Sequence, residues 1–212
     1  MDWGASLINR IAICADAVLF IFFLNRFISI APFLFEGLLR SRRLEHLEDS
    51  VSRTRDRNSV AAISLPALAL LFSRYDIYSP SFMDGFTPGE RTLTLLGVLV
   101  LTLILREALI RVLAPSRGDR ENYMLSARVI YDFLITGTVI LAAVAGLGAI
   151  FGIKDLIVRG ILFWTGIVIY FLFLLSRTQI LRNSCNQFAA FLYLCTLELI
   201  PAGTLVATGI FL

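Results

Sequence analysis

The sequence predicts an all-α fold, a polytopic transmembrane bundle of about six spans with one interfacial helix, forming a single integral membrane domain over 1–212. Three observations carry this. The 212-residue chain is 58% hydrophobic, against roughly 45–50% in soluble domains. Its mean hydropathy is +0.80. Its apolar residues fall into runs of about 20, the length of helix that crosses a bilayer core. The clearest run is 187–212, QFAAFLYLCTLELIPAGTLVATGIFL. It carries a single ionisable side chain, Glu198, near its middle.

The first span covers 4–24, with Trp3 at its head, where an amphipathic ring favours the membrane interface. Arg10 can snorkel outward from its first third, and Asp16 lies near its middle. The stretch lacks the basic start and small-residue cleavage pattern of a signal peptide, so it reads as a retained span. Residues 27–39 are too short for a span and contain Pro32. They read as an interfacial helix, with a tilted continuation of the first span as the alternative. A cytoplasmic charged segment, 36–57, follows. Its Leu44, Leu47 and Val51 fall at i, i+3 and i+7, as on a surface helix.

The second span, 59–75, is the shortest, and Pro66 is expected to kink it. Residues 74–91 hold Pro, Gly and aromatics and read as an ordered loop with an interfacial rim. The third span is 92–113, with Arg106 and Glu107 in its last third. The fourth is 123–151, with Arg128 and Asp132 early and Gly137, Gly146, Gly148 and Gly152 late. Gly148 and Gly152 form a small-xxx-small pair, read as ordinary packing. The fifth is 156–175, and the sixth is 187–212, with a second expected kink at Pro201.

Charge sets the orientation. With Met1 outside, the inner segments collect 14 of the 19 cations and the outer segments five. That is a strong positive-inside asymmetry, which places both termini outside. Of the cations 18 are Arg, with Lys154 the one Lys. Arginines in a chain of this hydropathy report topology rather than a nucleic-acid partner, and those near 40–57 could also meet anionic lipid headgroups.

The side-chain inventory excludes several chemistries. Cys14, Cys185 and Cys195 are scattered, and His46 is the only histidine. Neither a zinc site of the usual kind nor a Ser-His-Asp arrangement can be built from them. No phosphate-binding glycine loop, metalloprotease helix or dinucleotide fingerprint is present. The expectation is a protein without enzyme activity, cofactor or metal.

What remains is a candidate buried polar core. At 1.5 Å of rise per residue, Asp132 lies roughly 13 Å and Glu198 roughly 16 Å from the inner face. Arg106 and Arg128 sit at similar heights, and Arg128 is one helical turn before Asp132. Asp16 joins them if the first span packs nearby. A carboxylate in such a place could serve a proton relay. The plainer reading, charges paired to lock spans together, is preferred because no further acids or histidines continue the line. Pro201 has no N–H, so an acceptor is freed one residue before Glu198, and Glu198 is expected to face the bundle with Arg106 or Arg128 as its cation.

The segment YLCTLELIP, 193–201, resembles the closing signature of the bacterial integral membrane family called domain of unknown function 4271. Asp2 and Trp3, the Arg26–Phe27 step and Tyr123 are similar to that family too. The resemblance implies a six-span protein of the bacterial inner membrane and implies no activity. The functional expectation is a non-catalytic subunit or scaffold in envelope biogenesis or protein export. It would work in the lipid bilayer with a membrane-protein partner or as a homo-oligomer. The alternative is a small ion-coupled transporter using the Arg/Asp/Glu core.

Overall fold

A computed structural model describes residues 3–39, 51–112, 120–184 and 195–211. Every regular element among them is helical. The long helices are α1 (Leu7–Leu39), α2 (Val51–Arg74), α3 (Pro88–Val112), α4 (Arg120–Ile150) and α5 (Asp155–Ser184). A π-helical turn, Cys195–Leu199, leads into the shorter α6 (Ile200–Phe211). Four segments are long and apolar enough to cross a membrane: Leu7–Pro32, Pro88–Val112, Arg128–Ile150 and Asp155–Gln179. The chain is therefore a multi-pass helical membrane protein.

The first correction concerns 27–39. These residues form no separate interfacial helix, because α1 continues through Pro32 to Leu39. At 1.5 Å per residue its 33 residues span about 50 Å, well beyond a hydrocarbon core of about 30 Å. The continuation is held by packing, since Ile30 and Leu34 are buried against Val60 and Ala61 of α2 and Ile135 of α4. His46 and the rest of 40–50, half of the segment 36–57, lie outside the described residues.

The second correction concerns α2. It starts at Val51, well before the apolar run, and runs through Pro66 without a break. It is missing from the four apolar segments because Arg53, Arg55, Asp56 and Arg57 crowd its first turns. Its environment explains the low hydropathy. α2 packs on α1, α3 and α4 at once, burying Val60, Ala61, Leu68, Ala69 and Leu70. A helix shielded from lipid on most sides can carry polar groups that a lipid-facing one cannot. The exposed apolar surface falls to the other helices, where Phe22, Leu101, Ile104, Trp164 and Phe171 stand exposed.

The two ends of the bundle are tied differently. At the end that carries Trp3, the side chains of Asn9, Ser73 and Thr92 are buried and form a closed ring. The Trp3 indole donates to Ser73 Oγ over 3.0 Å, and Ser73 Oγ lies 2.7 Å from Thr92 Oγ1. Thr92 Oγ1 lies 2.9 Å from Asn9 Oδ1, and Asn9 Nδ2 donates back to the Trp3 carbonyl over 3.0 Å. Thr92 Oγ1 is the donor toward both Ser73 Oγ and Asn9 Oδ1, so its one proton is shared between them, and the buried polar groups meet one another as burial requires. The ring joins the starts of α1 and α3 to the end of α2. The loop after α2 is ordered as expected: Met83 is buried against Ala69 and Leu95, and Thr87 and Glu90 cap α3 reciprocally.

α4 and α5 form a tight hairpin. Gly152 takes a positive φ of 62°, and Ile153 N–H returns to the Gly148 carbonyl over 2.9 Å, a glycine-terminated helix end. The glycine pair thus divides its work. A Cβ on Gly148 would stand 2.7 Å from Val158 Cγ2, whereas Gly152 has open space around it and serves the turn.

Candidate buried polar core

Glu198 is placed by the π-helical turn. Pro201 cannot donate to an upstream carbonyl, and the chain passes from π to α winding beside it, between Leu199 and Ile200. A wider turn of this kind rotates the side chains that follow relative to a regular helix. From α5, the Tyr170 hydroxyl donates to the Glu198 carbonyl over 3.3 Å.

The Glu198 carboxylate is held by two guanidiniums. Arg106 of α3 donates to Oε1 through Nε at 3.0 Å and Nη2 at 2.8 Å. Arg177 of α5 contacts the same oxygen through Nη1. Exposure decides how much this matters: Glu198 is 5%, Arg106 4% and Arg177 0% exposed. An ion pair on a surface contributes about 0–1 kcal/mol. Removing one partner of a buried pair costs about 3–5 kcal/mol, because it strands a charge.

Asp132 of α4 forms the second set. Its Oδ2 lies 3.7 Å from Nη1 of Arg57 on α2, and both residues are buried, at 4% and 2% exposure. Arg128 sits one turn earlier on α4 and is half-buried. Arg57 is six residues from the start of α2, Arg106 six from the end of α3 and Arg177 seven from the end of α5. These helices alternate in direction, so all three arginines fall at the end of the bundle opposite Trp3.

Asp16 does not join either set. It faces a separate cavity between α1, α2 and α4. It is seven residues from Asn9, so it lies roughly 10 Å below the polar ring. The single polar core expected from sequence is thus two ion-paired sets and an isolated aspartate.

The sequence offered Arg106 or Arg128 as the cation for Glu198; Arg106 and Arg177 meet it, and sequence reasoning missed Arg57 and Arg177. Both stand just outside the apolar runs, where hydropathy ends a span before the helix ends. The signal was periodicity. Tyr170, Phe173 and Arg177 follow i, i+3, i+7, and Arg57, Ala61, Ser64 and Leu68 follow i, i+4, i+7, i+11, each the stripe of one buried helix face.

The chemistry available is electrostatic. Among the described residues, no group of three His, Cys, Asp or Glu side chains could hold a metal ion. Ser64, Thr102, Thr138, Thr165 and Thr178 each bond the carbonyl four residues earlier, which satisfies hydroxyls inside a helix but gives no nucleophile an adjacent base. Set against known protein families, curated proteins and solved structures, the chain matches none.

Proposed function

We propose that this chain is a non-catalytic subunit or scaffold of the bacterial inner membrane. It acts in envelope biogenesis or protein export by holding a membrane-protein partner. The observation that carries this reading is that Asp132 and Glu198 are each engaged by arginines from other helices. Charges so engaged fix helices in place, and among the described residues they leave no line of titratable groups along which a proton could pass.

Six crossings with both termini outside are part of the proposal. α2 begins at the end of the bundle opposite Trp3 and hands over to α3 at the Trp3 end, which supports a crossing by α2. The closing helix does likewise: Glu198 sits among the arginines, while Thr208 Oγ1 lies 2.6 Å from the hydroxyl of Tyr78 in the loop after α2. The positive-inside asymmetry supports the orientation. The closing motif YLCTLELIP supports membership of the family called domain of unknown function 4271, and with it the bacterial inner membrane.

The test is purification from native membranes in mild detergent, with the co-purifying proteins quantified. A partner present in fixed stoichiometry is the expected result. Proton-driven solute uptake by the chain alone in liposomes would overturn the reading. That outcome would favour the second one, an ion-coupled transporter using the Arg/Asp/Glu core. One observation speaks for it: Glu198 lies in a π-helical turn beside a cavity of about 220 Å³, and such turns are frequent at functional sites.

A further inference from the structure

The cavity that Asp16 faces measures about 240 Å³ and lies in the lipid-crossing part of the bundle, between α1, α2 and α4. Its walls are apolar, with Phe20, Phe23 and Phe27 of α1 on one side and small aliphatic residues opposite. Three polar side chains line it: Asp16, Ser64 and Thr138. All three offer acceptors. Ser64 Oγ donates its proton to the Val60 carbonyl over 3.0 Å, and Thr138 Oγ1 donates to the Leu134 carbonyl over 2.7 Å. Their lone pairs are what remains. Asp16 Oδ1 is shielded from solvent and has no hydrogen-bond partner among the described residues.

A lining with acceptors and no free donor must be completed by something that brings donors or positive charge. The phenyl rings point the same way, because their faces attract cations. Phe23 already shows this, with the guanidinium carbon of Arg26 4.9 Å from its ring centroid. Arg26 does not fill the role at Asp16. It is ten residues further along α1, roughly 15 Å, and is engaged by Asp56 at 3.6 Å and Ser59 at 3.5 Å. The volume is somewhat below that of drug-sized sites, which begin near about 300 Å³. It suits an ammonium group with a ring or a short chain.

We propose that this cavity binds a lipophilic primary amine in its cationic form, with the ammonium group on Asp16 and the apolar part among the three phenyl rings. The ammonium brings three N–H donors to a lining of three acceptors, and the carboxylate gains a counter-charge among apolar walls. The site is distinct from the arginine-bound carboxylates and stands under either functional reading.

The test uses the full chain in detergent micelles and two probes, 2-phenylethylammonium and its neutral counterpart 2-phenylethanol, with binding followed calorimetrically. The wild type should bind the amine saturably. Asp16→Asn should weaken it by about tenfold or more, the loss of a charge-assisted contact. Ala67→Leu should do the same by filling the cavity while leaving the carboxylate in place, which keeps the test decisive if Asp16→Asn misfolds. The alcohol should bind more weakly than the amine and be indifferent to Asp16→Asn. No saturable binding by the wild type, undiminished binding by both variants, or an alcohol that binds as tightly as the amine would overturn the proposal.

Discussion

At the scale of single residues, the cost of a buried charge depends on what is left behind. Arg57 and Asp132 illustrate this because each comes from a different helix and both are nearly inaccessible. Arg57→Leu should destabilise the bundle by about 3–5 kcal/mol, since it strands the Asp132 carboxylate. The double variant Arg57→Leu/Asp132→Leu should recover much of that loss, because a buried pair replaced by apolar groups of similar volume is often close to neutral. Unfolding of the three variants in micelles checks both values, and additive losses would show that the two side chains do not interact. The exposed pair Arg74–Asp155, 3.3 Å apart, should contribute about 0–1 kcal/mol by the same measurement. The sequence made the acids legible as buried because each sits within an apolar run. It hid two of their cations, because Arg57 and Arg177 lie where composition has turned polar although the helix continues.

At the scale of elements, close approach and winding make separate demands. Gly148 lets α5 approach α4, and a Cβ there would press on Val158, whereas Gly146 has nothing within 4 Å. Gly148→Ala should therefore cost about 1–3 kcal/mol through overpacking, and Gly146→Ala should be near neutral. Thermal unfolding of the two variants checks the contrast, and equal effects would mean that the hairpin does not depend on the close contact. Pro201→Ala restores an N–H and should let the π-helical turn relax toward regular winding, moving Glu198 relative to Arg106 and Arg177. A lower unfolding temperature is the expected outcome. Hydropathy located the four helices that are long and apolar enough to cross a membrane. It undervalued α2, whose neighbours are other helices, and it split α1 at Pro32, which a helix packed on both sides tolerates. The π-helical winding ends beside Pro201, and α2 is continuous through Pro66.

At the scale of the whole molecule, the bundle is tied by a ring of hydrogen bonds at the Trp3 end and by arginine–carboxylate pairs at the other. The proposed topology puts the arginine end inside. A reporter fused after Arg117 or Arg182 should report inside, and one fused after Asp84 or Leu212 outside. A junction after Arg57 is unsuitable, since it interrupts α2 beside the contact with Asp132. An inside C-terminus would contradict the six crossings. The reading as a whole rests on Glu198 being structural, and two substitutions at that position test it most directly. Glu198→Gln keeps the shape and can still accept hydrogen bonds from Arg106 and Arg177, while Glu198→Leu leaves two guanidiniums buried with no acceptor. Membrane abundance, unfolding temperature and growth phenotype should be compared for both. The account predicts that Gln, which loses the counter-charge but keeps an acceptor, lowers the unfolding temperature and keeps function, and that Leu collapses the protein level. Glu198→Gln at normal abundance with function abolished would contradict it, because loss of a purely structural counter-charge acts on stability and protein level, not on function at full abundance.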